Sequence, residues 1–359
     1  MHVTLANIGA NSDRLGLSVC NMTSVMQCLP TGIIASVPPV LLRLDDSISP
    51  CVGPAPLRKR PKLHLTQAAP KTYGLEDLPD EIFGCILGQC FTFQDYCSLS
   101  QVSLRYSQVA SSDVYWEPAY CQRYGAITDV TRDAATLANS WKELFRCRTV
   151  TNKQGEPRLS PCFYELTAVL QRIAYEQAAA TQPGGVMFLL DGSGSVSTED
   201  FDVMTRFVYK AVPVLHEIAP TTKVGIIQFS TDVHIQQPLA HVDRTNLLSV
   251  MTDMERMHGG TDMALAIQTA STHMQTALPP GGLQTLLILS DGFIDKYQGD
   301  AAVVAAHAMQ TEQAEVSFYA FGVGCAVNRT ELDRVVAANG CTDADCRYMA
   351  LAVLPESLG

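Results

Sequence analysis

The chain has 359 residues, with 25 Lys and Arg against 36 Asp and Glu, so its formal net charge is −11. The first 70 residues carry six basic and three acidic residues, a net of +3, and the remainder therefore carries −14. This acidic remainder excludes general nucleic-acid binding by the folded part. The absence of any apolar run near ~20 residues excludes a transmembrane helix, and the length suits two or three domains.

Twelve cysteines are spread over the chain without a Cys-x-x-Cys pair or a Cys and His cluster at zinc spacing. This distribution predicts reduced thiols that mostly fill cores. Cys341 and Cys346 are close enough in sequence to bridge a loop, and their redox state stays open. The N-terminus lacks a basic patch followed by an apolar core, so we expect no secretory signal and a cytoplasmic or nuclear location, or both.

Residues 1–70 contain eight of the 19 prolines and no Glu, and their apolar residues follow neither a helical nor a strand period. This composition predicts a disordered leader. The basic run from Arg58 to Lys62 fits a nuclear import signal and fits equally a solvated basic stretch.

Short helices are predicted from residue 71 to residue 148. Leu78-Pro79-Asp80-Glu81 is typical of a helix start, because Pro is tolerated in the first turn and acids suit the positive end of the dipole. Apolar residues then recur at helical spacing, with breaks between short stripes. A stretch from Asp113 to Tyr124 and one around Trp141 complete the pattern. The sequence therefore predicts a small all-α domain at 71–148.

One amphipathic connector helix is predicted within residues 149–182, and strands alternate with helices over residues 183–359. Val186 to Leu190 is an unbroken apolar strand, as expected where both sheet faces are buried. Ser197 and Asp200 are placed as a capping box for the helix that follows. We expect further helices at 244–257, near 301–313 and at 330–338. The alternation predicts a doubly wound, mostly parallel α/β sheet.

Five oxygen-bearing residues follow predicted strands or begin a helix of this sheet. They are Asp191, Ser193, Ser195, Thr261 and Asp291. Ligands of such sheets bind beyond the carboxyl ends of the strands, so the three loops can converge. Carboxylate and hydroxyl oxygens select Mg²⁺, Mn²⁺ or Ca²⁺ over zinc. Two carboxylates leave the ion under-neutralised and leave a position for water or a partner's Asp or Glu.

Two other interpretations of this loop compete with the one just given. An EF-hand is excluded, because its sixth position requires Gly where this chain has Val196, and because a strand precedes the loop. Simple capping of strand ends and helices by Ser, Gly and Asp remains the alternative to a metal site.

The segments Phe188 to Ser195, Val224 to Ser230, Gly259 to Thr261, Leu289 to Gly292 and Ala320 to Gly324 together resemble a von Willebrand factor type A domain. The resemblance covers about residues 183–355. It implies a metal-ion-dependent adhesion site with first-loop ligands, a second-loop Thr and a third-loop acid at the five positions named above. The helix that usually follows the last strand of this family is missing or very short here.

The segments Leu78 to Ile82, Leu99 to Ser103, Asp113 to Trp116 and Trp141 to Phe145 resemble an F-box and the segment that often follows one. The resemblance implies docking of eight apolar residues onto the Skp-type adaptor of a cullin ubiquitin ligase: Leu78, Pro79, Ile82, Ile86, Leu87, Leu99, Val102 and Trp116. The alternative is that these residues form the core of a small bundle.

Three functions follow from these features. The first is a non-catalytic adaptor that binds Skp and cullin and recruits a client protein through an exposed Asp or Glu of that client. The second is an intracellular von Willebrand factor type A scaffold outside ubiquitylation. The third is a metal-dependent hydrolase, for which the sequence contains no Gly-x-Ser-x-Gly elbow, His-Glu-x-x-His motif or phosphate loop. His258 near Thr261 is predicted to be a loop residue.

Overall fold

A computed structural model describes residues 77–80, 82–84, 95, 98–152, 161–312, 315–324, 326–338 and 348–351. The chain divides into two compact units, Met1–Tyr115 and Trp116–Gly359. Several predictions fall outside the described residues: the leader at 1–70, the basic run, Ile86, Leu87, Cys341, Cys346 and the segment after the last strand. No helix in the described ranges is both long and apolar enough to cross a membrane.

The described residues of the smaller unit are largely helical. Helix α1 is Leu104–Val109, and the Ser103 side chain caps it by accepting a hydrogen bond from the Tyr106 N–H at 3.2 Å. Phe83 is buried and its ring stacks on Tyr106 with centroids 5.0 Å apart. Arg105 donates to the Asp80 carboxylate at 2.8 Å and to a backbone carbonyl. Local capping and one aromatic contact therefore organise this small cluster.

Four helices precede the sheet of the larger unit or lead into it. Their bounds are α2 Asp113–Tyr124, α3 Asp129–Leu137, α4 Trp141–Thr151 and α5 Phe163–Ala179. Helix α3 was not predicted, although Thr128 and Thr131 form a capping box at its start. A buried network joins three of these helices, because Tyr120 and Arg148 both donate to the Glu165 carboxylate.

Helix α5, which was predicted to be a connector, packs against the sheet. Gln177 of α5 donates through Nε2 to the Thr285 Oγ1 at 2.9 Å, and the Tyr319 hydroxyl donates to the Glu176 carboxylate at 3.2 Å. Tyr319 shares a sheet face with Phe321 two residues later, since side chains alternate along a strand. Helix α5 therefore covers part of the face on which Phe321 lies.

Six strands form one sheet in the order β3-β2-β1-β4-β5-β6. Their bounds are β1 Gly185–Asp191, β2 Lys223–Phe229, β3 Val233–Ala240, β4 Gln284–Ser290, β5 Val316–Val323 and β6 Tyr348–Leu351. Five strands are parallel and edge strand β3 is antiparallel to β2. The predicted doubly wound α/β fold is confirmed, with its strand order reversing between β1 and β4.

Helices cover both faces of the sheet. They are α6 Thr198–Ile218, α7 Arg244–Asp253, α8 Met263–Ala277, α9 Lys296–Glu312 and α10 Arg329–Ala337. Met187 and Leu189 of β1 pack with α8, α9 and α10 on one face. On the other face Phe207 of α6 contacts Phe321, with ring centroids 4.8 Å apart. Strands β1, β4 and β5 are buried along their whole length because helices cover both of their faces, whereas edge strand β3 is partly exposed.

Two predicted helix limits are wrong. Helix α7 ends at Asp253 rather than Met257, because Met254 is extended and the following residues turn toward the loop after β1. Helix α9 begins at Lys296 rather than near Ala301, because Asp295 accepts the N–H groups of Tyr297 and Gln298 and so caps an earlier first turn.

Candidate metal centre

The first loop of the site follows β1, at the point where the strand order of the sheet reverses. Asp191 is fully buried and its Oδ1 accepts the Ser193 N–H at 2.9 Å. The Ser193 and Ser195 hydroxyl oxygens lie 3.0 Å apart, so both point to the same side of the loop. Ser193 is buried, whereas Ser195 is exposed. The loop therefore presents one buried carboxylate and two hydroxyls, and Ser195 is the exposed residue of the three.

The second loop is held against the first by backbone hydrogen bonds. The Gly194 N–H donates to the Gly259 carbonyl at 2.9 Å, and the His258 N–H donates to the Gly192 carbonyl at 2.7 Å. His258 and Gly259 have φ values of 60° and 99°, a left-handed backbone that is uncommon for a non-glycine residue such as His258. His258 is an exposed loop residue. These bonds bring the half-buried Thr261 to the same rim as the first loop.

The third loop follows β4 and reaches the first through a serine that the sequence analysis did not assign. The Ser290 hydroxyl donates to Oδ2 of Asp191 at 2.6 Å and accepts the Gly292 N–H at 2.9 Å. The nearly buried Asp291 accepts the Phe293 N–H at 3.0 Å through Oδ1. The residue preceding the third-loop acid therefore orients the first-loop carboxylate.

Burial and a second carboxylate raise the pKa of Asp191. The net pKa is about 6: removal from water is the largest cause of the rise, hydrogen bonds from Ser193 and Ser290 oppose it, and the charge of Asp291 adds to it. Asp191 and Asp291 lie at the adjacent ends of the paired strands β1 and β4. The folded chain therefore concentrates negative charge at the rim between β1 and β4.

The donor set fits a hard divalent cation. All the groups that converge here are carboxylate or hydroxyl oxygens, which Mg²⁺ and Ca²⁺ prefer and which zinc sites rarely use alone. Among the described residues no group of three or more His, Cys, Asp and Glu could hold a metal ion. This is consistent with a site containing only two carboxylates, in which hydroxyls complete the protein ligands.

Arg256 is a second residue that the sequence analysis missed. Its guanidinium donates to the Ser193 carbonyl at 3.3 Å and to the Val196 carbonyl. Because α7 ends at Asp253, Arg256 lies in an extended segment and can reach behind the first loop. No sequence pattern indicated this contact, since it joins residues about sixty positions apart.

The predicted adaptor-docking residues do not share one environment. Pro79 and Val102 are exposed, whereas Leu78 and Ile82 are half-buried. Leu99 and Trp116, which are also predicted to dock, are 4% and 1% exposed. Trp116 packs on Phe145 with centroids 5.2 Å apart. Leu104 and Val114, which were not assigned, are 78% and 72% exposed.

Comparison with known proteins supports the interpretation of the α/β region. Residues 185–352 match the family model of the von Willebrand factor type A domain. With the strand order and the loop arrangement above, this match identifies residues 185–352 as a von Willebrand factor type A domain. The F-box resemblance of residues 75–148 stays a prediction.

Curated relatives match a part of the chain of similar length. Integrin alpha-X of Mus musculus is 28% identical over 153 residues, 42% of this chain and 13% of that protein. Matrilin-3 of Gallus gallus is 28% identical over 158 residues, 42% of this chain and 34% of that protein. The chain therefore spans about a third or less of the length of these relatives. The family match and these relatives indicate protein–protein interaction as the class of function.

A solved structure of proximal thread matrix protein 1 from the mussel byssus is described as having a zinc-occupied MIDAS motif. It is 20% identical and covers 48% of this chain and 44% of its own, with a TM-score of 0.40.

Proposed function

We propose that residues 185–352 bind one divalent cation, Mg²⁺ foremost with Mn²⁺ or Ca²⁺ as substitutes, and use it to hold an acidic residue of a client protein. The observation that carries this proposal is the buried Asp191 carboxylate, oriented by Ser193 and Ser290 at the strand-order reversal of the sheet. A buried carboxylate beside a second one is costly unless a cation compensates both. The ligands would be Asp191, Ser193, Ser195, Thr261 and Asp291.

The exposure of the ligands supports a partner that approaches from one side. Asp191 and Ser193 are buried, Thr261 is half-buried and Ser195 is exposed. Octahedral coordination requires six oxygens and the five proposed ligands supply one each, so a position remains for a ligand from outside. When bound, the cation would supply the positive charge that attracts a client carboxylate.

Thermal unfolding of the full chain with increasing Mg²⁺ tests the cation. At 100 times the dissociation constant, a bound ion stabilises the native state by about 2.7 kcal/mol, which raises the melting temperature of a domain of this size by roughly 5–10 °C. Asp191→Ala should abolish the rise. Asp202→Asn removes an exposed carboxylate of α6 and should leave it unchanged. The proposal would be contradicted if the melting temperature of the native chain did not change with Mg²⁺, Mn²⁺ or Ca²⁺.

We further propose that residues 71–148 dock onto a Skp-type adaptor of a cullin ubiquitin ligase, so that the chain is a non-catalytic, client-recruiting subunit of the cytoplasm or nucleus. The support is an apolar surface that the unit leaves exposed at Pro79, Val102 and Leu104. Exposed apolar patches of this kind mark protein-binding sites. The acidic charge of the chain beyond residue 70 disfavours nucleic acid and anionic membranes as partners.

Co-purification of a Skp-type adaptor and cullin with the full chain tests docking. The double variant Leu78→Ala/Pro79→Ala, and separately Leu104→Asp, should reduce recovery of the adaptor at least tenfold. Val150→Asp introduces the same charge at an exposed apolar position of α4 and serves as the matched control. Equal recovery with all variants would mean that these residues do not form the docking surface.

The second candidate is a von Willebrand factor type A scaffold that acts outside ubiquitylation. The burial of Leu99 and Trp116 favours it, because these residues complete the chain's own cores instead of awaiting a partner. Under this alternative, a native pull-down retains client proteins that depend on Asp191 but contains neither adaptor nor cullin.

A further inference from the structure

Exposed apolar side chains border the candidate metal centre on two of its three loops. Phe293 is 51% exposed two residues after Asp291, and Leu265 is exposed four residues after Thr261. Tyr297, at the start of α9, is 81% exposed. Single exposed apolar residues are common on protein surfaces, whereas apolar groups that gather beside one site mark a place where another molecule binds. The second and third loops therefore give the metal centre an apolar border.

The backbone of the third loop fixes the position of Phe293. Its N–H donates to Oδ1 of Asp291 at 3.0 Å, and the preceding Gly292 is buried with a left-handed φ of 71°. The following Ile294 packs against the core, and its N–H donates to the Gly292 carbonyl at 3.0 Å. The Asn328 N–H donates to the Asp291 carbonyl at 2.8 Å. Phe293 is thus an exposed ring on the same short, hydrogen-bonded turn as the third-loop acid.

The first loop has a different surface. Gly194, Ser195 and Ser197 are exposed, whereas Val196 is buried. Glu199, in the first turn of α6, is exposed as well. A segment bound across the site would therefore meet hydroxyls and an acid beside the first loop, and apolar side chains beside the second and third loops.

We propose that the client segment held at the metal centre carries a large apolar residue within two positions of its acidic residue, and that this apolar residue packs on Phe293 and Leu265. The inference rests on the proposed function, because the client's acid is the group that completes the coordination of the cation. The cation selects the acid by charge, and the apolar border selects its neighbour by burial.

The chain geometry of the third loop supports this spacing. Consecutive Cα atoms are about 3.8 Å apart, so the Cα atoms of Asp291 and Phe293 are at most about 7 Å apart. A client residue within two positions of the coordinated acid spans the same distance and can cover the Phe293 ring. Aromatic side chains at the centre of an interface carry a large share of binding energy, so Phe293 is expected to dominate the preference.

A peptide array probed with the full chain tests the preference. The peptides contain a central Glu in a background of Gly and Ser, and each of the two positions on either side is changed in turn to Phe, Leu or Lys. With saturating Mg²⁺, about tenfold more chain should bind where Phe or Leu stands at the favoured position than where Ser or Lys does. A central Gln, or chelation of the metal, should abolish binding of every peptide.

Variants of the third loop assign the preference to the border. Phe293→Ser should remove it while the Mg²⁺-dependent rise in melting temperature persists, because the N–H that bonds to Asp291 belongs to the backbone. Phe293→Leu should retain it. Val304→Ser is the matched control, since Val304 is an exposed apolar residue of α9 that lies eight residues, or about 12 Å, beyond the helix start.

The outcomes separate this inference from the proposed function. Equal Mg²⁺-dependent binding of all Glu peptides would overturn the inference and leave metal-dependent capture of an acid intact. An equal loss of the preference in Val304→Ser would also overturn it. If Glu and Gln peptides bound alike, both proposals would fail. Binding of Phe and Leu peptides without Mg²⁺ would overturn the inference too, because the apolar border would then hold an occupant that does not use the metal centre.

Discussion

The α/β region and the small helical unit differ in how far their side chains are buried. In the sheet, β1 and β4 are buried along their whole length, and the oxygen-bearing residues of the candidate site follow the ends of these strands. In the smaller unit few described side chains are buried, and Leu104 stays 78% exposed. The difference shows that the sheet packs around its own candidate site, whereas the exposed apolar residues of the helical unit are the basis of the proposed docking surface.

Truncation of a buried side chain in the sheet and of an exposed one in the helical unit is expected to give the largest contrast. Phe188→Ala in β1 should lower the free energy of unfolding by about 3–5 kcal/mol, because it leaves a cavity between packed layers. Leu104→Ala should change it by less than about 0.5 kcal/mol. Chemical denaturation of the full chain measures both, and similar losses would remove the basis of the comparison.

A substitution of Arg256 tests whether its contact with the first loop contributes to metal binding. Arg256→Gln should weaken Mg²⁺ binding about five- to tenfold, since the first loop loses the donor to its Ser193 and Val196 carbonyls, a loss of roughly 1–1.4 kcal/mol. Arg206→Gln is a matched control, because Arg206 donates to the Asp202 carbonyl on the exposed side of α6. Isothermal titration gives both affinities, and equal values would show that Arg256 is only structural.

The raised pKa of Asp191 predicts a pH dependence in the metal-free chain. Its pKa is about 6 when folded against an ordinary 3.8, so between these values the folded state holds a proton that the unfolded state has released. Stability from this group therefore rises as the pH falls, by roughly 1 kcal/mol between pH 7 and pH 5. The difference between native and Asp191→Asn unfolding curves measures it.

Unfolding in the presence of saturating Mg²⁺ is the control for this pH dependence. Saturating Mg²⁺ at pH 7 should stabilise the native chain but not Asp191→Asn, and its affinity should fall as protons compete below pH 6. Identical pH profiles for the two chains without metal would contradict the assigned effect of burial.

The smallest effect is expected in the helical unit. Arg105→Gln removes an exposed ion pair with Asp80, whose side chain is 59% exposed, so it should cost about 0.5–1 kcal/mol of local stability. Hydrogen exchange of the α1 amides should accelerate by a few-fold, while Mg²⁺ binding stays unchanged. An altered Mg²⁺ affinity would mean that the two regions are coupled.

Local patterns predicted most of the sheet, and long-range contacts account for what they missed. The unbroken apolar run from Val186 to Leu190 located β1 to within one residue at each end, and Ser197 does cap α6 by accepting the Asp200 N–H at 3.0 Å. The early end of α7 was missed because a short helix has weak end signals. Ser290 was missed as a site residue because its role depends on Asp191, ninety-nine positions away.

In the helical region, spacing alone leaves open whether an apolar residue docks onto a partner or packs inside, because burial decides between the two. Leu99 and Trp116 fit the spacing of a docking surface equally well as core residues, since a helical stripe is apolar in both cases. Only packing distinguishes them, and Trp116 lies against Phe145. The same holds for α5, which the sequence places as a connector but which contacts the sheet through Gln177 and Glu176.

The amino-acid sequence by itself determined the alternation of strands and helices and the choice of five oxygen-bearing candidate residues, because strand periodicity and loop chemistry are local properties. Tertiary structure alone decided which groups orient those residues and which apolar residues remain exposed. Ser290 and Arg256 acquire their roles only when distant segments come within hydrogen-bonding distance. Such contacts depend on packing between elements, and no local pattern encodes them.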